Sequence, residues 1–451
     1  MAKTKEANTN LLNEQKVQTY TYNEVLAESI KYFNGDELAA TTWMNKYAMK
    51  DFEENFVEQS PEDMHRRMAR EFGRIEEDYK LKYNLNGSAK FLSEYGQNRE
   101  HLSEGRIFDL FENFGHIIPQ GSVMSSLGNI YKIASLSNCI VVPEMHDSYG
   151  GVFYTDQQLA QLFKRRCGVG VDISNLRPSG SHVSNAAGST SGAVSFMKRF
   201  SHTTREVAQN GRRGALMLSM DIAHPDVEDF TTIKQDLSQV TGANISLRLS
   251  DEFMKAVDNN TEYTHRWPID SDDPKVTKTI QARDLWNTII ECAHNTAEPG
   301  LIYWDRQHWY STSSVYPGYE NTSTNPCSEI AMQGGDSCRL IALNLFKFVE
   351  QPFTAQAKFN MKKFYQATYE GQRLMDDLVD LEIEAIGRIL AKVDADEEPE
   401  IIKMVEKETW ELLLKTGKEG RRTGLGFTAL ADMVAALGMK YDSDESIEFI
   451  E

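Results

Sequence analysis

The sequence predicts an α/β protein that begins with a mainly helical region. Two observations predict this class. Apolar residues keep helical spacing through the first part of the chain, and short apolar runs separated by Gly, Ser and Asn alternate with helical stretches after about Gly115. We therefore expect a helical region over residues 1–115 and an α/β region over residues 116–451, for which a barrel is one candidate arrangement.

The helical pattern extends from residue 20 to about residue 83. The sequence Ser60-Pro61-Glu62-Asp63 offers an N-cap, a first-turn proline and early acidic residues, which together predict the start of a helix. Four apolar residues then recur on one face of that helix: Met64, Met68, Phe72 and Ile75.

Strands are predicted where short apolar runs occur in the second region, at residues 140–142, 216–220, 245–249 and 301–304. The longest helical pattern covers about residues 362–393, where Leu374, Leu378 and Leu381 keep helical spacing. The acidic run at 394–400 is predicted to be a solvated loop. No repeat or low-complexity linker divides the chain.

Charge and composition exclude several classes of function. The formal net charge is −19, from 48 basic and 67 acidic residues, and no long Lys/Arg run occurs, so nucleic acid is not an expected partner. A small anionic substrate is compatible with this charge, because backbone N–H groups and a few arginines can hold a phosphate. The N-terminal sequence lacks the apolar stretch of a signal peptide, and no run is long enough for a membrane span, which predicts a cytoplasmic protein.

The cysteine and glycine motifs do not identify a function on their own. The five cysteines, at 139, 167, 292, 327 and 338, form an odd and sparse set that does not suit a secreted disulfide framework. They are either inert core residues or chemically active ones. The G-V-G at 168–170 lacks the third glycine of a dinucleotide-binding turn, and neither a phosphate-binding loop nor a metal-binding motif is present, so no metal site is expected.

The segment Asn325-Pro326-Cys327-Ser328-Glu329-Ile330 carries more information. An amide, a thiol and a carboxylate at alternate positions would project to one side of an extended segment. Such a trio could serve one bound molecule. From spacing alone, however, an isolated cysteine is more often a small apolar core residue, and Cys338 by itself is no exception.

The joint pattern is far more specific than either half. N-P-C-S-E followed by C-x-L-x-A-x-N-L resembles the finger-loop region, here about 325–338, of ribonucleotide reductase large subunits. Further family motifs follow in order: S-L-S-N-C-I-V-V at 135–142, R-C-G-V-G at 166–170, N-L-R-P at 175–178, Q-N-G-R-R-G-A at 209–215 and G-R-R-T-G-L-G at 420–426. The resemblance runs from about Ile117 to the end and implies part of that family's ten-stranded α/β barrel with a central finger loop.

The resemblance implies a radical reaction and assigns its residues. Cys327 matches the cysteine whose thiyl radical abstracts the 3′ hydrogen of a ribonucleotide. Glu329 matches the carboxylate that takes the 3′ hydroxyl proton, and Asn325 the amide that orients it. Cys139 and Cys338 match the pair that protonates the leaving 2′ hydroxyl and supplies two electrons, forming a disulfide.

The same resemblance implies residues around the substrate and an effector site. Ser122 falls where the family holds a substrate phosphate, although an ordinary turn serine is an equally good interpretation from sequence. The other expected substrate-side residues are Asn138, Cys167, Gly168 and Arg213. A deoxynucleoside triphosphate or ATP is the expected effector, and the matching residues are Asp147, Arg177, Ser184 and Gln209. No ATP-cone pattern is recognisable in the N-terminal region.

The resemblance also implies cofactors and partners. The wording N-P-C-S-E is typical of class I members, which predicts that this chain binds no cofactor directly and receives its radical from a metal-containing beta subunit. Adenosylcobalamin is the alternative. Expected partners are a C-terminal fragment that completes the catalytic subunit, a second copy in a homodimer, and thioredoxin or glutaredoxin as reductant. Two other hypotheses are a non-catalytic nucleotide-binding regulator and a thiol hydrolase, which would need a histidine near Cys327.

Overall fold

The computed structural model describes residues 18–85, 102–207 and 214–451. The α-helices in these ranges are α1 Tyr22–Tyr32, α2 Glu37–Lys46, α3 Pro61–Leu85, α4 Glu104–Phe111, α5 Gly121–Ser126, α6 Tyr149–Phe163, α7 Ala193–Glu206, α8 Val227–Thr232, α9 Asp251–Asn259, α10 Ala282–Thr296, α11 Trp304–Tyr310, α12 Met361–Ala395, α13 Glu400–Gly420, α14 Leu430–Ala436 and α15 Asp444–Ile450. The strands are β1 Ile117–Pro119, β2 Cys139–Val141, β3 Gly168–Asp172, β4 Ala215–Asp221, β5 Asn244–Leu249, β6 Glu262–Trp267, β7 Val276–Gln281, β8 Gly300–Tyr303, β9 Ser323–Thr324, β10 Ala331–Met332, β11 Asp336–Asn344, β12 Val349–Glu350, β13 Lys358–Phe359 and β14 Thr423–Thr428.

The chain divides into two compact units, each discontinuous in sequence. The first comprises Met1–Ile133, Ile341–Asp377 and Leu425–Glu451, and the second comprises Ala134–Leu340 and Leu378–Gly424. Three elements extend across the boundaries between these ranges, namely β11, α12 and β14. Because the chain passes between the units several times, neither unit corresponds to a single stretch of sequence.

The first unit is mainly helical. Helix α3 begins at Pro61, as predicted, and its four predicted core residues are all buried: Met64, Met68, Phe72 and Ile75. Strand β1 pairs antiparallel with the second half of β11, where Ile117 lies opposite Leu343. The predicted helical N-terminal region is therefore confirmed.

The second unit is built on one mixed sheet. Strands β2, β3, β4, β5 and β8 lie side by side in that order and are all parallel, while the first half of β11 pairs antiparallel with β2. Helices α6, α7 and α8 connect the first four of these strands. Parallel strands need such crossover connections and are covered on both faces, which explains why β3 and β4 read as continuous apolar runs rather than alternating ones.

The predicted strands and the long helix are confirmed with small shifts at their ends. The runs at 140–142, 216–220, 245–249 and 301–304 correspond to β2, β4, β5 and β8, although β2 ends at Val141, before Val142, and β8 ends at Tyr303, before Trp304. The acidic run at 394–400 contains the loop between α12 and α13. Among the residues described, no helix has the length and apolar character needed to cross a membrane.

Candidate active site

A short hairpin carries the segment that the sequence singled out. Strands β9 and β10 pair antiparallel, and the residues from Asn325 to Ile330 connect them. The Asn325 N–H donates to the Ile330 carbonyl at 3.1 Å, and the Asn325 side-chain oxygen accepts from the Ile330 N–H at 3.1 Å. Ser328 closes the turn with φ of 65°. We call residues 323–332 the finger hairpin.

The finger hairpin lies against β3 at two glycines. A Cβ atom on Gly168 would be 3.0 Å from the Pro326 side chain, and one on Gly170 would be 2.9 Å from the Thr324 carbonyl carbon and closer still to its oxygen. Only glycine leaves room for a backbone to approach this closely. The G-V-G sequence is therefore explained by hairpin packing. Gly170 was not among the predicted site residues, although its motif was quoted.

Cys139 and Cys338 face each other across two neighbouring strands. They are paired residues in the antiparallel ladder of β2 and β11, and both are buried as free thiols. Directly opposed residues in such a ladder have Cα atoms about 4.5–5.5 Å apart, which falls inside the range of about 4.4–6.8 Å that a disulfide needs. The backbone thus already holds the pair where a disulfide can form.

Asn325 connects the finger hairpin to this cysteine pair. Its side-chain amide donates to the Cys139 sulfur at 3.4 Å, and the residue is fully buried. Cys327 and Glu329, by contrast, are exposed at the tip of the hairpin. The finger hairpin therefore exposes a thiol and a carboxylate, while its buried Asn325 contacts one thiol of the pair.

The two buried thiols are held in their neutral form. Burial raises the pKa of Cys139 to about 12, and the negative charge of Glu329 raises it further while the Asn325 hydrogen bond opposes the shift. Burial raises the pKa of Cys338 to about 11, against the lowering effect of the Arg339 guanidinium. At neutral pH both groups carry a proton, which is the state required of a proton donor.

The motif at 420–426 supports Cys338 from its other neighbour strand. A Cβ atom on Gly424 would be 3.0 Å from the Cys338 sulfur. Arg422 forms an ion pair at 2.8 Å with the buried Asp336, at the start of β11. The Arg422 carbonyl also accepts hydrogen bonds from the Arg339 guanidinium at 3.0 and 3.2 Å. These contacts were missed from sequence, where the motif indicated only family resemblance.

A buried charge cluster lies at the carboxyl ends of β3, β4 and β5. Arg248 contacts Asp172 at 3.1 Å and Asp221 at 3.4 Å, and its guanidinium lies over the Trp304 ring at 4.1 Å. The Ser219 hydroxyl donates to Asp172 at 2.7 Å, and it lies 3.2 Å from the hydroxyl of Ser323 in the finger hairpin. The cluster therefore joins three strands to the base of the hairpin.

The predicted substrate-side residues are only partly brought together. The Asn138 carbonyl accepts from the Gly168 N–H at 2.7 Å, beside the cysteine pair. Cys167 is buried, and burial and the nearby Glu382 carboxylate raise its pKa. Ser122 is buried in α5 of the first unit. Arg213 lies outside the described residues.

Two of the predicted effector residues contact each other. The Arg177 guanidinium donates to Asp147 at 2.7 Å, and the Arg177 N–H donates to the same carboxylate at 3.1 Å. The guanidinium also reaches the His182 carbonyl at 3.1 Å, at the start of the loop that holds the exposed Ser184. Gln209 lies outside the described residues.

Comparison with known proteins identifies relatives over most of the chain. The family described as "Ribonucleotide reductase, barrel domain" matches residues 137–451. A vitamin B12-dependent ribonucleoside-diphosphate reductase from Thermoplasma acidophilum is 31% identical over 444 residues, covering 90% of this chain and 53% of the relative. This alignment must include part of the helical N-terminal region, which precedes the motifs that carried the resemblance.

Other relatives carry related names. A vitamin B12-dependent ribonucleoside-diphosphate reductase from Mycobacterium tuberculosis is 30% identical over 315 residues, covering 69% of this chain and 40% of the relative. A ribonucleoside-diphosphate reductase large chain from Neurospora crassa is 26% identical over 338 residues, covering 68% of this chain and 33% of the relative. The chain thus spans about half the length, or less, of the curated relatives it matches.

These relatives correct two expectations. The radical was expected from a metal-containing beta subunit, with no cofactor bound directly by this chain, but the most similar of the relatives above are named vitamin B12-dependent. Enzymes of that class do not use a radical-generating beta subunit, so both the cofactor and the partner expectation are wrong. The N-P-C-S-E motif could not discriminate, because both classes share the barrel.

The family itself is established by the extent of the match. The barrel-domain match covers residues 137–451, which include β2 and β11, the parallel strands beside β2, the finger hairpin and the motif at 420–426. The cysteine pair and the hairpin that contacts it therefore lie within the matched region. The chain belongs to the ribonucleotide reductase family.

Proposed function

We propose that the protein containing this chain reduces ribonucleotides to deoxyribonucleotides by thiyl-radical chemistry. The observation that carries the proposal is the link between the finger hairpin and the thiol pair: Asn325 contacts Cys139, which lies opposite Cys338. The same hairpin exposes Cys327 and Glu329. A thiol for hydrogen abstraction, a carboxylate and a two-electron donor are thereby available to one substrate.

The proposed reaction assigns each group one role. Cys327, as a thiyl radical, takes the 3′ hydrogen of the ribose, and Glu329 takes the 3′ hydroxyl proton. The 2′ hydroxyl leaves as water with a proton from the Cys139 and Cys338 pair. That pair gives up two electrons and becomes a disulfide, after which Cys327 returns a hydrogen to the 3′ carbon. An external dithiol then reduces the disulfide.

The positions of the three cysteines fit this division of labour. Cys327 is exposed and can be reached from outside the protein, whereas the other two thiols are buried and neutral. Burial of the pair limits exchange with solvent thiols, because the thiolate is the species that reacts. The thiol proposed to abstract hydrogen is thus accessible to solvent, whereas the thiols proposed to donate electrons are not, although all three belong to one site.

We propose adenosylcobalamin as the radical source, on the basis of the relatives' names. When bound, adenosylcobalamin supplies the one-electron oxidant that converts the Cys327 thiol to a thiyl radical. The exposed tip of the finger hairpin, residues 327–329, fits this requirement because it is the part of the segment that a large cofactor can approach. The buried Cys139 and Cys338 cannot be approached in this way. The names also support a ribonucleoside diphosphate as substrate.

We also propose nucleotide control through the Asp147 and Arg177 pair. A carboxylate can accept from a ribose hydroxyl, and a guanidinium can bind phosphate oxygens. Their present ion pair holds the start of the loop containing Ser184 through the contact from Arg177 to His182. An effector phosphate that engages Arg177 would compete with Asp147 and so alter the position of this loop.

The test is a reduction assay on the full-length protein with adenosylcobalamin, a dithiol reductant and ribonucleoside diphosphates. We expect deoxyribonucleotide formation that requires the cobalamin and disappears in Cys327→Ala. Cys338→Ser lacks one thiol of the proposed electron-donating pair. This variant should react at most once and should not accumulate deoxyribonucleotide. Triphosphate substrates and a dATP or ATP effector series form parallel arms. Product formation that persists in Cys327→Ala would refute the proposal.

A further inference from the structure

A buried carboxylate outside the proposed chemistry lies behind the cysteine pair. Glu382, in α12, is only 1% exposed, and it accepts three hydrogen bonds from one short segment. The donors are the Ser135 hydroxyl at 2.5 Å, the Leu136 N–H at 2.6 Å and the Ser137 hydroxyl at 3.0 Å. Burial of an ionisable side chain is costly unless hydrogen bonds compensate it, so this arrangement requires an explanation.

The segment held by Glu382 leads directly into β2. Only Asn138 separates Ser137 from Cys139, and the Asn138 carbonyl is fixed by the Gly168 N–H at 2.7 Å. The Ser135 N–H donates to the Arg165 carbonyl at 3.2 Å. The segment before Cys139 is therefore held by hydrogen bonds to β3 and its preceding turn, and by hydrogen bonds to Glu382.

Glu382 also acts on the strand that carries Cys338. Its negative charge raises the pKa of the Arg339 guanidinium, while burial lowers that pKa and is the larger effect. Arg339 follows Cys338 in β11 and points to the opposite face of the sheet, since neighbouring side chains alternate. There its guanidinium donates to the Ser337 hydroxyl at 2.9 Å. One carboxylate thus interacts with the neighbours of both cysteines.

We infer that Glu382 is a positioning residue that holds Cys139 and Cys338 in the alignment required for disulfide formation. The inference rests on the proposed function, in which this pair is the two-electron donor. A disulfide tolerates only a narrow range of Cα separation and torsion, and departures from it make the disulfide easier to reduce. Loosening the segment before Cys139 should therefore lower the stability of the Cys139–Cys338 disulfide relative to the dithiol.

The experiment measures that equilibrium without turnover. The full-length protein is equilibrated in dithiothreitol buffers of graded redox ratio, quenched, alkylated and analysed by mass spectrometry for the Cys139–Cys338 disulfide. We expect Glu382→Gln to lower the equilibrium constant for the disulfide about tenfold, which corresponds to about 30 mV for a two-electron couple. Glu382→Asp, which keeps the carboxyl group on a shorter arm, should recover part of the loss.

A matched control separates positioning from general loss of stability. Glu76 is also 1% exposed and pairs with Arg373, and both residues belong to the first unit, so Glu76→Gln removes a buried carboxylate from a unit other than that of Glu382. We expect Glu76→Gln to lower the melting temperature but leave the disulfide equilibrium within twofold of wild type. An equal equilibrium constant in Glu382→Gln and wild type would overturn the inference.

Two further results keep the test decisive. If Glu382→Gln does not fold, the double variant Ser135→Ala/Ser137→Ala removes two donors and should give the same shift in the disulfide equilibrium, and no shift would overturn the inference. If no variant or wild type reduces ribonucleotides, the proposed function fails while the measured shift still supports positioning. The two failures are thereby distinguishable.

Discussion

Gly170 of β3 lies directly against the carbonyl group of Thr324 in the finger hairpin. A methyl group in place of the glycine hydrogen would overlap the Thr324 oxygen, and neither partner is a flexible side chain that can move aside. The hairpin that presents Cys327 therefore depends on the absence of a side chain on a different strand.

We expect Gly170→Ala to lower the free energy of unfolding by about 1–3 kcal/mol, the usual cost of overpacking. The control is Gly387→Ala in α12, where a Cβ atom meets nothing within 4 Å. That change should be neutral or stabilising by about 0.5–1 kcal/mol, because alanine favours helix. Thermal and denaturant unfolding would measure both, and equal effects of the two substitutions would contradict this account.

Alkylation of the cysteine pair should depend steeply on pH. Because burial raises the pKa of Cys139 to about 12 and that of Cys338 to about 11 from an ordinary value of 9.0, the reactive thiolates are rare at neutral pH. Their alkylation by iodoacetamide should rise about tenfold per pH unit between pH 7 and 10, measured by peptide mass spectrometry. A rate that levels off near pH 8 would contradict the raised pKa values.

The same shifts predict a loss of stability at high pH. Folded-state pKa values above the unfolded value mean that the folded protein binds more protons, so the contribution is full below about pH 9 and is lost as pH rises through 11 and 12. The variant Cys139→Ser/Cys338→Ser should show a shallower fall in melting temperature over this range. An unchanged slope would show that other groups dominate alkaline unfolding.

Removal of the Arg248 guanidinium should be strongly destabilising. Arg248→Met would leave Asp172 and Asp221 buried without their cation, and breaking a buried pair in this way costs about 3–5 kcal/mol. Lys278→Met, which breaks the exposed pair with Glu228, should cost no more than about 1 kcal/mol. Denaturant unfolding curves compare the two. If Arg248→Met cost as little as Lys278→Met, water would have to compensate the two carboxylates for the loss of their cation.

Substitution of Glu329 should affect turnover but not folding. If Glu329 acts as the base for the 3′ hydroxyl, Glu329→Gln should lower kcat about 10²–10⁴-fold, the usual contribution of general base catalysis. The melting temperature should be unchanged, since this side chain is exposed. Glu320→Gln, an exposed carboxylate in the segment before the hairpin, is the control. Equal kcat in the Glu329 and Glu320 variants would remove Glu329 from the reaction.

The sequence was sufficient for features that depend on local periodicity. Helix α3 starts at Pro61 because capping and acidic signals coincide there, and β4 is recognisable because a strand covered on both faces must be apolar throughout. Family resemblance added the cysteine pair, and the structure places Cys139 and Cys338 opposite each other. These features depend on residues that are close together in the sequence or on motifs of high specificity.

The parts that sequence could not supply depend on contacts between distant segments. Glu382 lies 247 residues from Ser135, and nothing in a helical run of acidic residues distinguishes a buried carboxylate from a solvated one. The β6–β7 hairpin is mainly polar, and only Tyr263 and His265 of these two strands are buried, so the strands lack an apolar signal. The radical source was predicted wrongly because the finger motif contains the cysteine proposed to abstract hydrogen and carries no information about how that cysteine is oxidised.

Cys167 bears on which cysteines can form a disulfide when the protein is oxidised. It precedes Gly168, the neighbour of Cys139 on β3, and burial together with the Glu382 carboxylate raises its pKa. The third thiol is therefore held in its neutral form, and the thiolate is the species that attacks a disulfide. We expect a cysteine at position 167 to be a slow partner in exchange with the Cys139–Cys338 disulfide, although it lies close to Cys139 along the sheet.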